Sequence, residues 1–263
     1  MTQQIYNTTA AAGYDQVFAH VSSHFIPFLL SAGRVARDQR VLDVGTGTGL
    51  AANAVLAIVG PAGHVTATDI SPDMAERARR RLADAPNVSV GIEDGQALSF
   101  PDESFDTVLC NLGMMFFPDA ARGLAEFHRV LRPGGRAAVS VNTVPERSYT
   151  TRVHVIMARY EPSLEPAASR LFSLGDEAKL RKLFGAAGFH DVDVSSQSHR
   201  FPVQSFEVYF EQFERGWGSP GQTYVSLPED VRCAVREDVR RSVGDTGGPI
   251  EIEVEIRFAS GRR

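Results

Sequence analysis

Cysteine, lysine and tryptophan are scarce in this sequence. Two cysteines among 263 residues, Cys110 and Cys233, cannot build a disulfide framework or a cysteine-based metal cluster, and they fit a reducing cytoplasm. No run approaches the ~18 consecutive apolar residues of a membrane span, so no stable membrane insertion is expected. The opening segment MTQQIYNTTAAAGYD has no basic stretch followed by an apolar one, and does not read as a signal peptide. Excess positive charge is missing too: 27 Lys and Arg against 32 Asp and Glu leave a net charge of -5. That balance argues against a nucleic-acid partner gripped by phosphate neutralisation. Nearly all the basic residues are arginine, with Lys179 and Lys182 the two lysines, and this carries no functional reading. What remains is ordinary globular material, 43% hydrophobic and 22% charged, for which disorder is not expected. At ~100–200 residues per domain, the length allows one elaborated domain or two small ones.

Between Val41 and Val141 one unit recurs: a short apolar run, a turn, then a helical pattern. The runs Val41–Val44, Val65–Thr68, Val88–Ile92, Thr107–Cys110 and Ala137–Val141 are spaced like strands joined by helical crossovers, which build a parallel sheet. Ser71-Pro72 marks a helix start, and Pro133-Gly134-Gly135 stops the helix carrying Leu124, Phe127, Val130 and Leu131. Upstream, apolar residues from Tyr14 to Leu29 recur at helical intervals, with a bend or break expected at Pro27. Downstream, Asp176 caps a further helix and a strand lies near Val192–Val194. The strict alternation Ile250–Phe258 predicts an antiparallel strand with one wetter face. The architecture is α/β, with a mainly parallel sheet of seven strands, an antiparallel last strand and helices on both faces. We expect a single domain over 1–263: an N-terminal helical cap (1–39), a cofactor-binding core (40–145), and two substrate-side insertions (146–175 and 204–248), the later one helical.

The most informative residues are VLDVGTGTG, 41–49. A strand running into three alternating glycines lets the backbone turn sharply and approach a ligand closely. A dinucleotide fingerprint needs its third glycine one residue later, where Leu50 stands, and a P-loop needs a lysine that is absent. Asp43, two residues before the first glycine, would repel a diphosphate but suits a ligand with a positive centre. That points to S-adenosylmethionine rather than NAD. Asp69, at the end of the second strand, is placed to accept both ribose hydroxyls. Asp94, after the third strand, could accept the adenine amino group, with the Gly95 or Gln96 amide reading the adjacent ring nitrogen; a solvated turn acid is the alternative.

With these residues the sequence resembles the class I S-adenosylmethionine-dependent methyltransferases, and within them the group that includes ubiquinone and menaquinone C-methyltransferases. The resemblance is carried by VLDVGTGTG (41–49), TATDIS (66–71), EDGQALSFPDESFD (93–106), NLGMMFFPD (111–119) and HRVLRPGGR (128–136), about 100 residues in the family's order and spacing. It implies a Rossmann-like fold. It also implies that Gly45, Thr46, Gly47 and Gly49 lie under the methionine part of the cofactor, and that Asp69 and Ile70 hold the ribose and adenine. Asp94, Gly95 and Gln96 would read the adenine edge, while Asn111 and Leu112 would line the methyl-donor side. Met74 is an apolar wall for adenine or ordinary helix core. Tyr14 resembles the N-terminal tyrosine that approaches the cofactor carboxylate in relatives, or is the first core residue of its helix.

Methyl transfer is an in-line displacement that needs nucleophile and methyl held near contact in a dry site. Many relatives carry a histidine in the loop after the fourth strand, but Met114-Met115 stands here, so no catalytic base carries over. His20 and His24, one helical turn apart, are the candidates for a base; no third ligand joins them as a metal site, and no metal is expected. Met114, Met115 and Phe116, with the aromatic-rich insertions, are the expected wall of a small, largely apolar or aromatic acceptor methylated on carbon or oxygen. Competing readings are a cofactor-bound cyclase or isomerase that does not methylate, and an NAD oxidoreductase, which Leu50 and Asp43 disfavour.

Overall fold

The computed structural model describes residues 8–263, except the side chains of Thr8, Ala10–Ala12, Tyr14 and Val17. Its strands show why the apolar runs lack alternation. Val41 and Leu109 face one hydrophobic core, while their neighbours Leu42, Val108 and Cys110 face another on the opposite side of the sheet. A strand covered on both faces must be apolar throughout. These strands are β1 (Arg40–Val44), β2 (His64–Asp69), β3 (Val88–Ile92), β4 (Phe105–Asn111) and β5 (Leu131–Asn142), all parallel; β6 (His190–Val203) and β7 (Ile250–Arg262) follow. The sheet order is β3-β2-β1-β4-β5-β7-β6, and β7 alone runs against the other six.

One core is built with α1 (Thr8–Ala32), α2 (Leu50–Val59) and α3 (Pro72–Arg81); the other with α4 (Ala120–Val130) and α7 (Glu177–Ala186). The start signals act as read. The Ser71 hydroxyl accepts from the Met74 amide with Pro72 at the first helical position, and Asp176 accepts from the Lys179 amide at 2.7 Å. Between α4 and α7 lie α5 (Arg152–Tyr160) and α6 (Glu165–Arg170). The later insertion is α8 (Phe206–Glu214), α9 (Gly218–Tyr224) and α10 (Glu229–Ser242).

Two expectations need correction. Helix α1 runs unbroken through Pro27. Pro27 and Ser23, whose carbonyl loses its helical donor, both face solvent, so water can replace the missing bond while Phe25, Ile26, Leu29 and Leu30 stay buried. Strand β6 is much longer than Val192–Val194. As an edge strand it carries Ser195, Ser196, Gln197, Ser198 and Arg200, a polar row that gives no apolar signal, and it is held by its long pairing with β7. The alternation in β7 is as expected: Ile250, Ile252, Val254, Ile256 and Phe258 are buried, and Arg147 and Arg200 pair with the interleaved glutamates.

Candidate active site

A cleft opens at the carboxyl ends of β1, β2 and β4, where the strand order reverses about β1. Gly45 and Gly47 line it in the left-handed region, at φ 69° and 57°. A Cβ on Gly47 would meet nothing within 4 Å, so bare backbone faces the open space. Gly49 is not at the cleft; its added Cβ would meet the Ala78 backbone at 3.3 Å, so it serves the packing of the loop on α3.

Asp69 lines the cleft. Its Oδ2 accepts from the Gly47 amide at 2.8 Å and its Oδ1 from the Ser71 amide at 2.9 Å. The acceptor capacity the amides leave unused faces the cleft. Burial pushes the Asp69 pKa up, against the opposing pull of the Ser71, Gly47 and Ile70 amides. Ile70, Met74 and Gly95 also line the cleft. A Cβ on Gly95 would press on Val44 and the Phe117 ring, so the cleft floor requires glycine there.

Asp43 is placed differently from its expected role. It is completely buried beneath the loop and does not line the cleft. Its Oδ2 accepts from the Thr46 hydroxyl at 2.7 Å, and its Oδ1 has no hydrogen-bond partner. Thr46 is thereby turned inward as a loop brace. Burial raises the Asp43 pKa to about 6, with the Thr46 hydroxyl and the Ala52 amide opposing and Asp69 adding to the rise. The folded protein therefore keeps a proton that the unfolded chain releases near pH 4. Stability should fall as pH rises from about 4 to 6, by roughly 3 kcal/mol from this group. Thermal melts of wild type and Asp43→Asn check this: wild type should lose stability relative to the variant across that interval, and parallel curves would refute it.

Around the adenine-edge residues, Glu93 rather than Asp94 lines the cleft. Asp94 Oδ1 caps its own turn, accepting from the Gln96 backbone and side-chain amides at 2.9 and 3.2 Å, and among the described residues Oδ2 has no donor. Gln96 is buried and accepts from the Asp119 amide, so it braces the loop from behind.

Asn111 and Leu112 stand at the end of β4. Asn111 receives the Ser140 hydroxyl on Oδ1 and donates to Ser22 of α1. The Leu112 amide donates to Ser140 Oγ at 2.9 Å and to the Ser140 carbonyl at 3.1 Å. These bonds hold Leu112 at φ 51°, a conformation that costs a leucine on the order of 1 kcal/mol. Leu112 and Phe116 face both the cleft and a second cavity beside it. That cavity is walled by Phe18, Met115, Trp217 and Pro220, with polar points at Asn142, Thr150, Thr151 and Ser219. Both insertions contribute to it. Met114 does not: it is fully buried with Cys110, Val44 and Leu124 in the core opposite α1.

The histidines expected as bases sit elsewhere. His24 stacks on His199 of β6 at 3.9 Å, and His20 meets Tyr149 and Phe201 edge-on; neither lines the cleft or the cavity. The face of α1 that carries them turns towards β6, an edge that the sequence pattern did not reveal. Burial lowers the pKa of both. The Tyr14 side chain lies outside the described residues. Nearby, Asp15 accepts from the Thr48 hydroxyl and pairs with Arg81, which also bonds the Thr48 carbonyl at 2.7 Å, tying α1 to the glycine loop.

Beside the cavity, the contact of His154 with Ser219 has no signal in a single sequence, whereas Trp217 belongs to the aromatic-rich insertion expected to wall it. His154 is buried, its Nε2 lies 3.1 Å from Ser219 Oγ, and its Nδ1 lacks a partner. Burial takes its pKa down to about 4, so the ring is neutral. Trp217 rests on Gly13 of α1, where any Cβ would collide with the indole. The cleft encloses about 80 Å³ and the cavity about 40 Å³. Small-molecule sites typically offer ~300 Å³ or more, so both spaces are small as they stand.

A sequence profile described as a methyltransferase domain matches residues 41–135. An uncharacterised Mycobacterium tuberculosis protein is 30% identical over 220 residues, spanning 81% of this chain and 76% of its own length. The demethylmenaquinone methyltransferase of Staphylococcus epidermidis is 32% identical over 180 residues, 64% of this chain and 75% of that enzyme. Among solved structures, the YcgJ protein of Bacillus subtilis shares the fold at a TM-score of 0.62 and 17% identity, covering 91% of this chain and 98% of that one.

Proposed function

The chain belongs to the class I S-adenosylmethionine-dependent methyltransferases and is similar to the quinone C-methyltransferases, and on that premise we propose that it methylates a small, largely apolar or aromatic molecule on carbon or oxygen. The observation that carries this reading is the meeting of the cleft and the apolar cavity at Leu112 and Phe116. When bound, S-adenosylmethionine supplies an electrophilic methyl on a sulfonium. The residues present fit it. Asp69 turns its remaining acceptor capacity towards a ribose diol, Asp94 Oδ2 and the Gly95 amide suit an adenine edge, and Gly45 and Gly47 offer uncluttered backbone to the methionine part. Met74 and Ile70 provide apolar walls, and Asn111 fixes the donor side through its bonds to α1 and β5. Asp43 and Thr46 act indirectly, by shaping the loop.

On the acceptor side, Phe18, Met115, Trp217 and Pro220 suit a flat apolar body and exclude water. Asn142 spends its amide nitrogen on Thr151 and Met115, leaving its carbonyl oxygen to accept from a polar substituent. Ser219 can accept a hydrogen bond from an acceptor hydroxyl while its own hydrogen is directed at the neutral His154 Nε2, a chain that orients and polarises the nucleophile with no proton held on the ring. The 263 residues work as one domain whose segments 146–175 and 204–248 select the acceptor. The two unpaired cysteines suit a cytoplasmic setting, and among the described residues no helix is long and apolar enough to cross a membrane.

Steady-state kinetics on Ser219→Ala and Trp217→Ala test this division. Ser219→Ala should lower kcat by about tenfold or more, and Trp217→Ala should raise the acceptor KM, both with the S-adenosylmethionine KM unchanged. Equal effects on both substrates, or none on the acceptor, would refute it.

A further inference from the structure

At the end of the sheet opposite the glycine loop lies a second, polar cavity of about 710 Å³, bounded by the C-terminal turns of α1 and by the ends of β4, β5, β6 and β7. Three guanidiniums line it: Arg34, Arg136 and Arg262. Among the described residues none of the three forms an ion pair, although most other arginines of this chain do. Arg136 is the most telling. It is 8% exposed, yet among the described residues its one side-chain acceptor is the Ser260 hydroxyl, 3.1 Å from Nη1. A guanidinium has five donors, so four N–H groups of a nearly buried cation are left to the cavity.

The sheet register worsens the charge problem. Arg136 of β5 stands directly opposite Arg262 of β7, and like charges opposite each other in an antiparallel pair are destabilising. Arg34 joins them from the end of α1, where it turns at φ 51° with its amide bonded to the Ser31 carbonyl. Burial lowers the Arg136 pKa, and Arg34 and Arg262 lower it further, against the opposing pull of Asp191 and Asp193. Those two carboxylates line the same cavity from β6, the strand beside β7, and among the described residues neither reaches ion-pair distance of an arginine. Asp106 is already engaged, by Arg132 at 2.8 Å and by the Arg40 amide at 2.7 Å. Unpaired guanidiniums from α1, β5 and β7 in one cavity describe a receptor for an oxyanion, with the β6 acids beside them open to hydrogen-bond donors of the same ligand.

We propose that this cavity is a second ligand site, distinct from the methyl-transfer cleft, in which Arg34, Arg136 and Arg262 bind a phosphate or carboxylate oxyanion. Planar guanidiniums suit both oxyanions in bidentate fashion. Calorimetry and thermal melts of the full chain, titrated separately with inorganic phosphate and with citrate at ionic strength matched by sodium chloride, test the proposal and separate the two chemistries. Saturable binding and a rise in Tm are expected with at least one of them. Arg136→Gln and Arg262→Gln should each weaken binding by about tenfold or more. Asp69→Ala should leave it unchanged, which separates this site from the cofactor cleft. Retained S-adenosylhomocysteine binding verifies that the arginine variants are folded. Absence of saturable binding by either anion to wild type, or binding unchanged in both arginine variants, would overturn the proposal.

Discussion

Asp69→Ala should weaken S-adenosylmethionine binding by about 100-fold or more. The Asp69 carboxylate accepts the Gly47 and Ser71 amides and presents its remaining acceptor capacity to the cleft. Hydrogen bonds to a charged group contribute about 1.5–3 kcal/mol each, so losing two to a ribose diol removes two or more powers of ten in affinity. Alanine also frees the Gly47 and Ser71 amides, which loosens the glycine loop. Asp69→Asn separates the two effects: it keeps the shape and one acceptor, and should fall between wild type and alanine. Calorimetry with S-adenosylhomocysteine checks the series. An alanine variant that binds within threefold of wild type would remove Asp69 from the site.

Gly175→Ala should cost about 3 kcal/mol of stability, a fall in Tm of about 6–12 °C for a chain of this size. Gly175 is buried just before the Asp176 cap of α7, and a Cβ there would overlap the Thr143 carbonyl oxygen and approach that of Asn142 to 3.0 Å. Neither wall is a side chain that can swing away. Thr143 is tied to β7 through the Glu255 carbonyl, and the Gly175 carbonyl is held by Arg257. The displaced backbone continues into Asn142, a wall of the acceptor cavity, so the acceptor KM should rise as well. A shift in Tm under 2 °C would show that the β5–α7 junction is softer than this packing implies.

The parts of the molecule legible in the sequence are those where backbone rules act locally. The glycine loop, the Ser71 and Asp176 caps and the uniformly apolar strands each have a short-range cause, and they stand where their spacing puts them. Asp69 was legible for the same reason, as a strand-end acid at a fixed distance from the loop. Roles set by side-chain direction were not. Asp43 and Asp94 sit at the expected places, but one turns under the loop to Thr46 and the other caps its own turn. Met114 and Met115 are adjacent, yet a single turn of 3-10 helix sends one into the core and the other to the acceptor cavity. His20 and His24 have the chemistry of a base, but the helix face they share looks towards β6. The pairing of His154 with Ser219 spans 65 positions, and no local pattern announces such a contact.

Transfer of a labelled methyl group tests the central claim most directly. Purified protein is incubated with S-adenosylmethionine labelled in its methyl group and a reduced naphthoquinol or another apolar phenolic acceptor, and products are resolved by mass spectrometry. The expected result is a singly methylated acceptor formed in equal amount to S-adenosylhomocysteine, lost with Asp69→Ala and reduced with Ser219→Ala. Tight S-adenosylmethionine binding without label transfer to any apolar acceptor, or transfer instead to a charged phosphobase, would contradict the account.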